Sequence, residues 1–419
     1  MTDCRFPGSS CPAAWVRNVK VLAGNAPDCP RLPPTASLLP RLDCRMHTAS
    51  FDASEHLRVL AGPYATQWIH EHGLRPEDIR AVAAAAGGPK GLILGPIDQF
   101  IFGHWLAASS QTIDLIGASI GCWRLASACA PDPASKLRAF SQAYIEQDYR
   151  IPEGQRRPSP ESVSASFAQG LSQFFGDLSD EVLAHPRYRL HVLTSRASPS
   201  LARAARRGAF ELGLAFAQAW LANAGSRALL AKHLERVVFS SDARDGPDPI
   251  AQALFLQDYA AHQVRLDRDN WLAAIQASCS IPMVLNPVWD LHGAPPGAYW
   301  DGGLTDYHLH LNYAVLRPGL VLYPHFIDRL IPGWLDKPWV WRHRASAGLD
   351  NLVLLCPTKQ WLARLPDARL PDRHDFVRFA KDPMARMRRW REVVARAEDL
   401  ARALAQFAHD PACINIEAL

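Results

Sequence analysis

Short, mostly apolar runs alternate with amphipathic stretches along this chain, and the runs at 79–86 and 113–117 stop at glycine. Over residues 56–72 the apolar spacing predicts an amphipathic helix closing on Gly73. Residues 79–86 are a compact apolar run containing four successive alanines. Alanine favours helix by propensity. Gly87-Gly88-Pro89-Lys90-Gly91 follows at once, however, and makes a buried strand feeding a tight turn the better assignment. Residues 92–106 read as a helix, 113–117 as a second buried strand, and 120–130 as a helix halted by Pro131. Strand, turn and helix thus occur twice within about fifty residues, the signature of a parallel sheet with covering helices. Residues 132–235 are mostly helical, with one strand expected at 188–195. Further strands are expected at 237–240, at 299–301, around Val321 and at 352–355, and a long amphipathic helix over 384–407. The fold class is α/β: three layers, α/β/α, around a mostly parallel central sheet.

Residues 1–45 fit no element. They hold Cys4, Cys11, Cys29 and Cys44, several prolines, and no compact apolar stretch of the secretory-signal kind. We expect a disordered leader there, ahead of a start at Met46. An α/β domain is expected over residues 46–330, with a helical cap region at about 196–235. Residues 331–419 are expected to form a C-terminal extension that ends in a long helix and packs on the same domain. The net charge of +4 over 419 residues is small, which argues against a dedicated nucleic-acid binder. No apolar run reaches the roughly 18 residues needed to span a bilayer. Nine cysteines, an odd number without a CxxC pair, fit reduced thiols and a cytoplasmic protein.

Candidate chemistry begins with Gly117-Ala118-Ser119-Ile120-Gly121. A serine hydroxyl needs an adjacent base to act as a nucleophile. A sharp strand-to-helix turn exposes its oxygen, and glycines at 117 and 121 allow the close backbone approach such a turn requires. The glycine loop at 87–91 can aim backbone N–H groups at one spot. Pro89 has no N–H, so Gly87, Gly88 and Lys90 are the candidate oxyanion donors, aided by the N–H of Ile120. Neither a Walker loop nor a dinucleotide fingerprint is present. Farther on, Trp300-Asp301-Gly302-Gly303 ends an expected strand in an aspartate that can point into a cleft. It follows Ala277-Ser278-Cys279-Ser280-Ile281-Pro282.

These pieces, in this order, resemble the patatin-like phospholipases. That family combines a G-G-x-[KR]-G oxyanion loop, a G-x-S-x-G turn, an A-S-x-x-I-P stretch and a D-G-[GA] motif, matched here by Gly87–Gly91, Gly117–Gly121, residues 277–282 and Asp301-Gly302-Gly303. The likeness spans roughly residues 80–310. The resemblance implies a Ser–Asp dyad, with Ser119 as nucleophile and Asp301 as base, acting on lipid or acyl-ester substrates without cofactor or metal. The family pattern has an acidic residue and a third glycine ahead of the loop, where this chain has Ala85 and Ala86. An ordinary aspartate, with a pKa of about 3.9, is a weak base, so a water-poor cleft is expected to raise it.

Other readings stand beside this one. His308 and His310 alternate as on a strand; they could bind a metal, or His308 could complete an α/β-hydrolase triad in the order Ser, Asp, His. A non-catalytic lipid-binding protein on the same fold is a third reading, and an acyltransferase would use the same dyad. Trp334, Trp339 and Trp341 stand among Lys337, Arg342, His343 and Arg344, a mixture that suits either a membrane interface or a loop packed on the core. Peripheral membrane contact is therefore expected as an option, and oligomeric state is left open.

Overall fold

The computed structural model describes residues 51–419 apart from 150–157, 177, 242–248, 256–258 and 260; the expected leader lies outside the described residues. Among these, eleven strands join one mixed sheet. They are β1 (Leu57–Ala61), β2 (Ile79–Ala84), β3 (Ile113–Ala118), β4 (Tyr188–Ala197), β5 (Leu234–Ser240), β6 (Ala261–Arg265), β7 (Val288–Trp289), β8 (Ala298–Asp301), β9 (Leu320–Pro324), β10 (Leu352–Pro357) and β11 (Ile416–Ala418). The main order is β11-β1-β10-β9-β2-β3-β4-β5-β6, with β8 on β4 and β7 on β8. From β10 to β4 every neighbouring pair is parallel, while β1 runs antiparallel to β10 and β5 antiparallel to β4. Helices flank this mostly parallel sheet, as the three-layer α/β/α class requires. Inner parallel strands are buried on both faces, which is why β9 and β10 read as unbroken apolar runs and β2 and β3 are broken only by Arg80 and Asp114 near their starts.

Pairing along β4 decides where the chemistry can sit. β3 covers β4 from Tyr188 to Leu193, ending with Ala118 opposite Leu193. β8 runs the other way and takes up the same strand from Thr194, with Asp301 opposite it. β5 occupies the opposite edge. Two strands therefore meet end to end along β4, and the residues at their tips, Ser119 and Asp301, are forced together.

Several elements differ from expectation. Residues 56–72 are not one helix: β1 lies at the start, and only Pro63–His72 is helical. Gly62 marks the break, since a side chain there would lie 2.3 Å from the Asp350 carbonyl oxygen. Residues 92–106 pass through 3-10, α and π turns rather than one regular helix. At 384–407 there are two helices, Pro383–Arg396 and Glu398–His409, meeting at Ala397. The first buries Trp390 against the site-proximal segment with Leu92 and Ile145; the second buries Leu400, Leu404 and Phe407 in the main core. Residues after 330 give the sheet β10 and β11 as well as packing on it. The helical part of the 196–235 region is Pro199–Arg207, Ala209–Gly225 and Arg227–Leu230, its ends belonging to β4 and β5. Its inner residues Leu201, Leu212, Ala219 and Leu230 pack with Trp300 and Leu304, on either side of Asp301.

Candidate active site

Ser119 links β3 to the helix Ile120–Ala128 with φ 56° and ψ −130°, a conformation that L side chains rarely adopt. Such backbone costs about 1–3 kcal/mol and persists only where its surroundings enforce it. Here the Ser119 N–H donates to Ser278 Oγ at 2.9 Å, and Ser278 Oγ donates to the Leu193 carbonyl at 2.6 Å. The turn packs directly on the end of β2, since a Cβ at Gly121 would lie 2.0 Å from the Ala84 carbonyl oxygen. At Gly117 it would meet the Cys122 nitrogen at 2.8 Å. Both glycines are thus required by close approach.

Asp301 receives the serine. Ser119 Oγ donates to Asp301 Oδ2 at 2.8 Å, and the Gly303 N–H donates to Oδ1 at 2.7 Å. Gly302 has no room for a side chain, because a Cβ would stand 2.1 Å from the Leu193 carbonyl oxygen. Ser119 is 6 % exposed and Asp301 7 %. Among the described residues no cation forms an ion pair with this carboxylate. Burial raises its pKa from 3.8 to about 6, against the opposing pull of the two hydrogen bonds and the more distant charges of Arg373 and Lys337. A carboxylate in this range can hold or accept a proton near neutrality.

The glycine loop borders both groups. Gly91 packs on the Ile120 side chain, its Cβ position 3.4 Å from Ile120 Cδ1. Ala86, just before the loop, abuts Gly303 (2.8 Å to its Cβ position) and donates its N–H to the Tyr307 carbonyl. Gly88 has a left-handed φ of 55°, and a side chain at Gly87 would enter the Phe326 ring. The N–H groups of Gly87 and Ile120 donate to no other described residue. That of Ser119 is already engaged by Ser278. The Lys90 ammonium points away towards Asp372, 3.8 Å distant.

The expected residues from 87 to 91, 117 to 121 and 301 to 303 therefore converge. His308 does not join them. It lies in coil rather than on a strand, its Nδ1 accepts the Ile331 N–H at 3.1 Å, and burial with the neighbouring His325 drives its pKa well down. The His310 ring reaches the Arg344 carbonyl instead. Cys122 sits 3.3 Å from Ser278 Oγ, yet burial pushes its thiol up to about 12 and removes it as a competing nucleophile. Sequence reasoning missed the bridging of Ser278 between Ser119 and β4, although its motif had been singled out. It also missed Arg373, and marked Lys337 only as part of a tryptophan-rich basic stretch rather than as a neighbour of Asp301.

Comparison with known proteins adds the family. Residues 103–308 match the family model for patatin-like phospholipase, a stretch that contains both Ser119 and Asp301. No curated protein and no solved structure matches the chain.

Proposed function

The chain carries a patatin-like phospholipase domain, of the lipid acyl hydrolase family, and from that premise we propose that it is a serine hydrolase cleaving lipid acyl esters through Ser119 and Asp301. Ser119 Oγ attacks the acyl carbonyl carbon while its proton passes to Asp301 Oδ2. The tetrahedral oxyanion lies among the N–H groups of Gly87, Gly88, Lys90 and Ile120, donors that need no rearrangement during the step. Collapse breaks the ester C–O bond, and Asp301 returns its proton to the departing alkoxide. Water then attacks the acyl-serine, gives a proton to Asp301, and releases the fatty acid with Ser119 restored. The observation that carries this reading is the 2.8 Å hydrogen bond from Ser119 Oγ to a buried carboxylate without an ion-pair partner. The test is hydrolysis of a short-chain chromogenic ester by the wild type, Ser119→Ala and Asp301→Asn proteins. Undiminished turnover in either variant would sink the dyad.

The protein meets its substrate at a lipid surface. No described helix is long and apolar enough to cross a membrane. The helix Ala209–Gly225 nevertheless has only one charged side chain, Glu211, and an apolar residue on nearly every face. A helix of that kind is normally buried on all sides. Here Phe210, Leu214 and Leu221 are 75 %, 51 % and 63 % exposed. Trp220 stacks on Trp339, which leads to exposed Trp341 and Val340. Arg203, Arg206 and Arg207 stand exposed on the preceding helix. An apolar face edged by tryptophan and arginine suits an anionic lipid interface.

A further inference from the structure

Part of the site's surroundings comes from outside the residues matched by the family. Lys90, Lys337 and Arg373 all lie outside 103–308; the charges of Lys337 and Arg373 reach Asp301, and that of Lys90 reaches Lys337. The Lys337 ammonium stands 4.2 Å from the Tyr307 ring centroid and 5.3 Å from that of Trp334. Arg373 lies 6.0 Å from the same Trp334 ring, and Lys90 5.8 Å from that of Phe326. Two of these rings back directly onto the catalytic motifs. Tyr307 is 3.3 Å from the Cβ position of Gly303, whose N–H holds Asp301, and Phe326 fills the space beside Gly87. The aromatic shelf that carries the cations is thus also the wall behind the glycine loop.

Charge on this shelf is unbalanced. Asp372 is near Lys90, but neither Lys337 nor Arg373 forms an ion pair among the described residues. Buried Arg124 and Arg236 are matched by Asp98 and Asp306, whereas Lys337 and Arg373 stand exposed. Partial desolvation and the charges of Lys90 and Arg373 push the Lys337 ammonium down to about 8, although the residue keeps solvent access. Cations crowded together without partners weaken a fold, and an arriving anion reverses that cost.

We propose that Lys337 and Arg373, with Lys90, form an anion-recognition subsite that selects acyl esters bearing a phosphate or carboxylate group next to the scissile bond. The proposal rests on the hydrolase reading, since the subsite serves the ester held at Ser119. Its test compares three decanoyl esters by release of decanoate: neutral monodecanoylglycerol, its 3-phosphate, and its 3-hemisuccinate. The wild type is expected to favour the charged esters in kcat/KM by about tenfold, the scale of one or two charge-assisted contacts. That ratio should fall severalfold in Lys337→Gln and again in Arg373→Gln. A preference for the phosphate alone supports a phosphate-bearing substrate; a preference for both supports recognition of either anion. Equal turnover of all three esters, or a ratio that neither variant moves, overturns the subsite and leaves the hydrolase reading intact. If the wild type cleaves none of them the hydrolase reading falls, and calorimetric titration with hexyl phosphate and hexanoate decides the subsite. Binding weakened by both variants would uphold it; absent or unaltered binding would overturn it.

Discussion

Asp301 and Asp336 are both buried carboxylates near the helices of residues 199–230, and they are held in opposite ways. Asp336 has no exposure and accepts from Asn223 at 2.8 Å, from Arg342 at 2.8 Å, from the Gly333 N–H at 2.9 Å and from Arg227. Burial alone would raise its pKa, but Arg227, Asn223 and Arg342 outweigh that, and it stays below the ordinary value. It is a permanent anion that ties the helices Ala209–Gly225 and Arg227–Leu230 to the tryptophan segment. Asp301 has a hydroxyl and one amide in place of two guanidinium groups, and its pKa rises to about 6. Between these two carboxylates, the guanidinium groups around Asp336 and their absence at Asp301 decide which way the pKa moves.

Removing the reacting groups gives the largest expected effect. Ser119→Ala or Asp301→Asn should each lower kcat by about a thousandfold or more, measured on a soluble ester. Asp336→Ala should do something different. It removes the buried carboxylate that Arg227 and Arg342 share, and should cost about 3–5 kcal/mol in denaturant titration. An unchanged midpoint would erase the contrast between the two aspartates.

Asp301→Asn should move stability the other way. The folded pKa of Asp301 is raised above its unfolded value, so the native state resists ionising it. The resulting penalty is absent below pH 4, grows between pH 4 and 6, and is complete above about pH 6. Relieving it should stabilise the Asn variant by about 1–3 kcal/mol at pH 8, a gain that vanishes as the pH falls to about 4. A loss of stability at pH 8 would mean that the carboxylate is not strained. The smallest effect belongs to the exposed apolar face of the helix Ala209–Gly225. Leu214→Glu should reduce co-sedimentation with anionic vesicles severalfold, the scale of about 1 kcal/mol. If instead the wild type forms a dimer that the variant breaks, the apolar face belongs to a second copy.

What could be read in the sequence follows the same physics. The runs at 79–84 and 113–118 were legible because strands buried on both faces are apolar, here but for Arg80 and Asp114, and Gly121 and Gly302 because neighbouring carbonyl oxygens leave no space for a Cβ. β1 was hidden inside the helix-like pattern of residues 56–72, which Gly62-Pro63 divides into a strand and a helix. β6 was hidden by its polar edge sequence, Ala-His-Gln-Val-Arg. The division at Ala397 has no local signal, because good helix formers lie on both sides and tertiary packing turns the chain. The joining of Lys90, Lys337 and Arg373 likewise depends on contacts between distant segments, which no periodicity records.

The central claim, that unpaired burial makes Asp301 the base for Ser119, is tested most directly by labelling with a fluorophosphonate across pH. The adduct should map to the peptide containing Ser119, form at a rate rising through a midpoint near pH 6, and all but disappear in Asp301→Asn. An adduct on another residue, or equally fast labelling of Ser119 in the Asn variant, would contradict the account.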